Sequence, residues 1–178
     1  MKTNLIAILA DEERKRRTPS NPPPVSQAIV TSIPTGSIRH DTFYLGFIFQ
    51  VGAVDITITD IGRFKIPGDI GTHNVVISEP SVGIATLRDA NINASIGLDN
   101  TYIFAPVTPL VLLANHIYAI MSEEFATDSW HDLHTVTVNT LGGVQLLNAG
   151  YRVNLGNNVV NAGSINNSYA DPNFKYLI

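Results

Sequence analysis

Phe43-Tyr44-Leu45-Gly46-Phe47-Ile48-Phe49-Gln50-Val51 places Phe43, Leu45, Phe47, Phe49 and Val51 on every second position. Side chains on a strand alternate between its faces, so this spacing gathers the large apolar groups on one side. A few residues later Val54, Ile56 and Ile58 alternate with Asp55, Thr57 and Thr59. A face of period two must bury against another layer, and two such runs in succession set an all-β reading.

Working outward, the same reasoning expects strands at 73–78, 82–87, 102–105, 110–113 and 116–122, then at 135–139, 144–147, 151–155 and 173–177. Turn signals separate them: Pro67-Gly68-Asp69, Asp99-Asn100, Leu141-Gly142-Gly143, Gly156-Asn157-Asn158 and Ala162-Gly163. Roughly ten strands spaced about 8–12 residues apart, with no helical period after residue 40, predict an antiparallel β-sandwich or jelly roll over 41–178. No internal repeat interrupts that pattern.

Residues 1–40 read differently. Asn4 is a candidate N-cap, Leu5, Ile8 and Leu9 form a small apolar stripe, and Glu12–Arg16 and Glu13–Arg17 have the (i, i+4) order that supports a helix. The spacing predicts a short helix over 3–17. Pro22-Pro23-Pro24 then forces an extended polyproline segment of about 3.1 Å per residue. A marginal apolar helix on a stiff spacer is expected to serve as a docking arm, with folding back onto its own domain as the alternative.

The 178 residues are 44% hydrophobic and only 15% charged, with a net charge of −4. The first 40 residues carry six basic and three acidic side chains, and the remainder five basic and twelve acidic. An acidic body repels phosphate, so no nucleic-acid partner is expected. No apolar run approaches the ~20 residues of a membrane span, so no membrane insertion is expected. Lys2 followed by Leu5–Ala10 is too short an apolar stretch for a signal peptide, which suggests synthesis in a cytoplasm. The chain has no cysteine, which removes disulfides and thiolate metal sites.

No phosphate-binding glycine loop, nucleophile elbow, zinc-protease helix motif or calcium loop occurs, which disfavours an enzyme. Chemistry concentrates in Ser122-Glu123-Glu124-Phe125-Ala126-Thr127-Asp128-Ser129-Trp130-His131-Asp132-Leu133-His134. As a sugar-binding rim, Trp130 would stack on a saccharide's apolar face while Glu124, Asp128 and Asp132, with His131, accept or donate at its hydroxyls. As a calcium site, Glu124, Asp128 and Asp132 would supply oxygens; as a transition-metal site, His131 and His134 would need a loop to converge. As a glycosidase, Glu123, Glu124 and Asp128 would supply the carboxylate pair. Against these stands Trp130 as a cap on the core with the carboxylates bonding turn N–H groups, and this plainer reading is preferred for Trp130. No metal and no cofactor are expected. His40, His73 and His116 read as hydrogen-bonding partners at junctions and strand starts.

The body also resembles the DUF4082-like bacterial β-sandwich accessory modules. The resemblance is carried in order by Leu45–Gly52, Ile58–Phe64, Gly71–Val75, Pro106-Val107, Ser122–Glu124, Asp128–Asp132, Asn167–Tyr169 and Phe174–Tyr176. It implies a non-catalytic sandwich that displays loops to glycans or to neighbouring modules. The whole layout, a sandwich behind an arm, looks like a phage virion subunit: a tail fibre, baseplate or decoration protein. That likeness implies partners among other virion subunits, bound through Leu5, Ile8, Leu9, Pro22, Pro23 and Pro24, a possible homo-oligomer, and contact with host glycan. A free extracellular lectin is the alternative.

Overall fold

The computed structural model describes residues 24–80 and 86–178. The expected helix over 3–17 and the arm residues Leu5, Ile8, Leu9, Pro22 and Pro23 lie outside the described residues, as do 82–85 of one expected strand. Numbered along the chain, the strands are β1 (Gln27–Ala28), β2 (Ile38–Arg39), β3 (Phe43–Gln50), β4 (Ile56–Lys65), β5 (Thr72–Ser78), β6 (Thr86–Asn93) and β7 (Thr101–Leu112). Then come β8 (Ile117–Glu124), β9 (Trp130–His131), β10 (His134–Thr135), β11 (Gln145–Arg152), β12 (Val160–Ala162), β13 (Asn167–Ser168) and β14 (Pro172–Leu177).

The chain is mostly β, and its sheets are antiparallel. One has the order β12-β11-β3-β8-β5-β6, another β1-β14-β4-β7, and the pairs β10-β13 and β2-β9 are small ribbons at one end. The alternation read in Phe43–Val51 has its cause here: Phe47 and Phe49 of β3 face Ile58 and Ile61 of β4 and Phe174 and Tyr176 of β14 within one core. The rings of Phe49 and Phe174 lie 4.9 Å apart, one from each main sheet. At roughly 1.5–3 kcal/mol for each large apolar side chain fully buried, this shared layer is the main source of stability.

Two expected strands, 102–105 and 110–113, are one long strand, β7, which pairs with β4 around a bulge between Ile58 and Asp60. Pro106 and Pro109 fit within it because β7 is an edge strand, where a missing N–H costs no ladder bond. Likewise 144–147 and 151–155 merge into β11, bulged between Leu146 and Asn148. The expected strand at 135–139 shrinks to β10 and an isolated bridge from Val138 to Val30.

The boundary expected at residue 40 also shifts. The segment 27–39, read as spacer, is knitted into the body: β1 pairs with β14 and β2 with β9. Ile29 and Val30 are buried in the shared core. Asn173 holds Val30 from both sides, its Oδ1 accepting from the Val30 N–H at 3.1 Å and its Nδ2 donating to the Val30 carbonyl at 2.9 Å. That side chain replaces a rung of sheet pairing, satisfying backbone groups that would otherwise be buried alone. Pro24 is exposed.

Candidate functional site

Two neighbouring features occupy the end of the molecule where β2, β9 and the turn after β8 meet. The first is a shallow depression of about 320 Å³, walled by Phe43, Trp130, Tyr151 and Tyr169 over Leu45, with Arg39, Asp41 and Asp132 at its edge. Phe43 and Tyr151 meet edge to face at 6.2 Å, and so do Trp130 and Tyr169. Trp130 is only 5% exposed and forms a small satellite core with Leu45 and Ala170. Its indole N–H donates to the Asp41 carbonyl at 3.3 Å. Trp130 therefore underlies the depression as a core cap, while Tyr151 and Tyr169 remain partly open.

Arg39 Nε donates to Asp132 Oδ2 at 2.8 Å across the rim. Burial disfavours the charged Asp132 carboxylate, but the Leu133 N–H and the Arg39 guanidinium outweigh it and hold the group below the usual range. Asp132 is thus an anionic acceptor at the surface. The expected partners Glu124, Asp128 and His131 do not share this rim. All three are buried, which corrects their assignment as sugar contacts.

The second feature is the cluster that buries two of them. Arg63 of β4 is 1% exposed. Its Nε and Nη2 donate to Glu124 Oε1 and Oε2 at 2.9 and 2.6 Å, while Nη1 pairs with Asp69. Its Nη2 also reaches the Ser129 carbonyl at 3.0 Å. Asp69 is aimed here by the turn Ile66-Pro67-Gly68-Asp69, closed by the Asp69 N–H on the Ile66 carbonyl at 3.1 Å. Gly68 takes φ +87°, the conformation a Pro-Gly turn of this kind requires.

His73 of β5 stands beside Glu124 of β8. Its Nδ1 lies 2.7 Å from the Glu123 carbonyl and 3.4 Å from Glu124 Oε2, so two acceptors place the proton on that nitrogen. Nε2 faces Asp69 Oδ1 at 3.2 Å and Asp128 Oδ2 at 3.6 Å. Asp128 is brought there by the turn after β8, in which its N–H donates to the Phe125 carbonyl. One donor atom from each of Asp69, His73 and Asp128 falls within 4.8 Å of the others.

The electrostatics follow from this geometry. Burial alone would raise Glu124 and Asp69, yet Arg63 and His73 reverse that and hold both carboxyls below their ordinary values. Burial would lower His73, but its hydrogen bonds to the Asp69 and Glu124 carboxylates push it up to about 9. Asp128 moves the other way: burial, then the nearby Asp69 charge, raises it.

A third group lies between them. His131 and His134, three apart, converge because Asp132-Leu133 leaves the strand between β9 and β10. His131 Nδ1 is 2.5 Å from Asp171 Oδ2 and His134 Nε2 is 2.7 Å from Asp171 Oδ1. The second contact forms no hydrogen bond. Asp171 and the preceding Ala170 both adopt left-handed backbone, at φ 54° and 52°, a strained pair for residues other than glycine.

Sequence reasoning found Glu124, Asp128, Trp130, His131 and Asp132 but missed Arg63, Asp69, Asp171, Tyr151 and Tyr169. A signal for Arg63 existed: it stands two positions after Ile61 in Ile61-Gly62-Arg63-Phe64, where the strand period that buries the isoleucine buries the arginine too, and such an arginine needs an internal partner. No family model, curated protein or solved structure matches the chain.

Proposed function

We propose that the protein is a non-enzymatic interaction protein: a β-sandwich of the jelly-roll kind that presents the depression over Trp130 to saccharide. The observation that carries this reading is the pairing of aromatic walls with a charged rim. Tyr151, Tyr169 and Phe43 offer apolar faces to sugar C–H groups, while Arg39, Asp41 and Asp132 offer donors and acceptors to hydroxyls. The hydrolase alternative loses support because Glu124 is locked in a bidentate pair inside the protein and Asp128 is buried beside it. A glycosidase needs both carboxyls flanking an open sugar site.

The setting we propose is a larger particle such as a phage virion, as a tail fibre, baseplate or decoration subunit. The N-terminal residues then attach the sandwich to other subunits. Two sequence features support this setting, the apolar stripe Leu5, Ile8 and Leu9 and the proline run that follows it. A free carbohydrate-binding module would use the same depression and dispense with the attachment.

Glycan-array binding of the full chain, repeated with Tyr151→Ala, tests the saccharide reading. Binding that the substitution abolishes supports it, and a blank array removes it. Light scattering of the full chain against a chain starting at residue 24 tests the setting. A defined oligomer lost on truncation supports assembly, whereas two monomers that both bind glycan favour the free module.

A further inference from the structure

We propose that Asp69, His73 and Asp128 form a binding site for a divalent transition-metal ion, zinc in the first instance, that staples two turns of this cysteine-free chain. The site would tie the Pro67–Asp69 turn and β5 to the turn that follows β8.

Four observations converge. The first is the histidine. With its Nδ1 against the carbonyl of Glu123, Nε2 points at two carboxylate oxygens, 3.2 and 3.6 Å away. Atoms so disposed need a cation between them, and either a proton on Nε2 or a metal ion can supply it. Fixing one imidazole nitrogen on a backbone carbonyl is also how proteins orient the other toward a metal.

The second is Asp128 itself. It is 8% exposed, yet among the described residues its carboxylate accepts no hydrogen bond. One of its oxygens, Oδ2, is aimed at Nε2.

The third is the charge balance. Among the described residues Arg63 is the one arginine or lysine of the cluster, and it pairs with Asp69 and Glu124, while Asp128 faces His73. Three carboxylates against one guanidinium leave an excess of negative charge, which a divalent cation would offset.

The fourth is fit. Donors bound at about 2.0–2.2 Å to one ion in tetrahedral or octahedral geometry stand about 3.0–3.5 Å apart, close to the separations here. One imidazole and two carboxylates suit zinc or manganese better than calcium, which prefers an all-oxygen shell. Gly71 keeps the space open: a Cβ there would lie 2.1 Å from Asp128 Oδ2 and 3.3 Å from His73 Nε2.

The test uses the full chain purified without chelator. Elemental analysis by mass spectrometry should find one metal per chain after equilibration with ZnCl₂. Zinc at a hundredfold excess over its Kd should raise Tm by about 5–10 °C relative to EDTA. Asp128→Asn removes one ligand while leaving Arg63 paired, and should fold yet lose both the bound zinc and the shift. A chain whose Tm is the same in EDTA, ZnCl₂ and MnCl₂ and that retains no metal would overturn the proposal. So would zinc binding that survives both Asp128→Asn and His73→Gln, because the ion would then sit elsewhere, as on His131 and His134. Ring ¹⁵N shifts showing both His73 nitrogens protonated in saturating zinc would overturn it too.

Discussion

Arg63 and Glu124 join the two main sheets from the inside: β4 carries the guanidinium, β8 the carboxylate, and two hydrogen bonds of 2.9 and 2.6 Å link them. Both side chains are out of contact with water. Arg63 points inward because it follows Ile61 by two positions, so the alternation that buries an isoleucine also buries an arginine. The pair closes the end of the apolar core, where the cross-sheet contacts give way to polar ones. Neither ion was stabilised by water once folded, so each depends on the other.

Glu124→Gln should therefore destabilise the protein by about 3–5 kcal/mol, since it strands a buried guanidinium with only Asp69 opposite. Urea unfolding would read this as a large fall in the midpoint with little change in slope. Arg39→Gln is the control, because its pair with Asp132 lies at the surface with the Arg39 side chain 56% exposed. Its midpoint should stay where it was.

Stability measured in EDTA should peak in a narrow pH window. Glu124 and Asp69 sit below their unfolded values, against the opposing effect of burial, because Arg63 and His73 favour their charged forms. Their contribution is complete above about pH 5 and is lost as pH falls through the depressed values. Burial alone would lower His73 and His134, but Asp69 and Glu124 lift the first to about 9 and Asp171 lifts the second, so both have the opposite sign. Theirs is complete below the unfolded value of about 6.5 and is lost as pH rises through the folded ones. Urea midpoints measured from pH 3 to 10 should fall on both sides of about pH 5–6.5. A midpoint still rising between pH 7 and 9 would contradict the histidine assignments.

The strands were legible wherever one face is apolar and the other wet, as in Ile56–Ile58. Legibility failed in two physical situations. Ile48, Ala119 and Met121, on the other face of the six-stranded sheet, are buried under Val159 and Leu147, so a strand that reads as half-buried is covered on both sides. And the short ribbons β2-β9 and β10-β13 carry no periodicity of their own, since two residues cannot alternate; long-range pairing alone creates them. The 122–134 stretch was visible as unusual, but its chemistry is set by residues far away in the chain. Arg63 lies 61 positions from Glu124, and Asp171 lies 40 from His131. Carboxylates with distant partners are indistinguishable in sequence from carboxylates facing solvent, which is why Glu124 and Asp128 read as rim residues.

A chain starting at residue 40 should fail to fold stably, although the composition change near that point suggests a domain boundary. It would lose Ile29 and Val30 from the core, at roughly 1.5–3 kcal/mol each, and leave Asn173 buried without its two backbone partners. Circular dichroism melts should show a loss of most cooperativity. A chain starting at residue 24 keeps all of these contacts and should melt as one transition close to that of the full protein.

Substitutions around the depression should separate packing from binding. Trp130→Ala removes a buried indole from the satellite core with Leu45 and Ala170, and should cost about 3–5 kcal/mol, so a loss of glycan affinity there would report unfolding. Tyr151→Ala and Tyr169→Ala truncate rings that are only partly buried and should lower Tm far less. If saccharide stacks on these walls, each should weaken glycan binding about tenfold or more, the scale of one lost aromatic contact of about 1.4 kcal/mol. Asp132→Asn should weaken it also, since the rim would lose its anionic acceptor while the backbone turn remains. Titrations of the folded variants by isothermal calorimetry or by tyrosine ring shifts would measure all three. Unchanged affinity in both tyrosine variants would remove the depression as the binding surface.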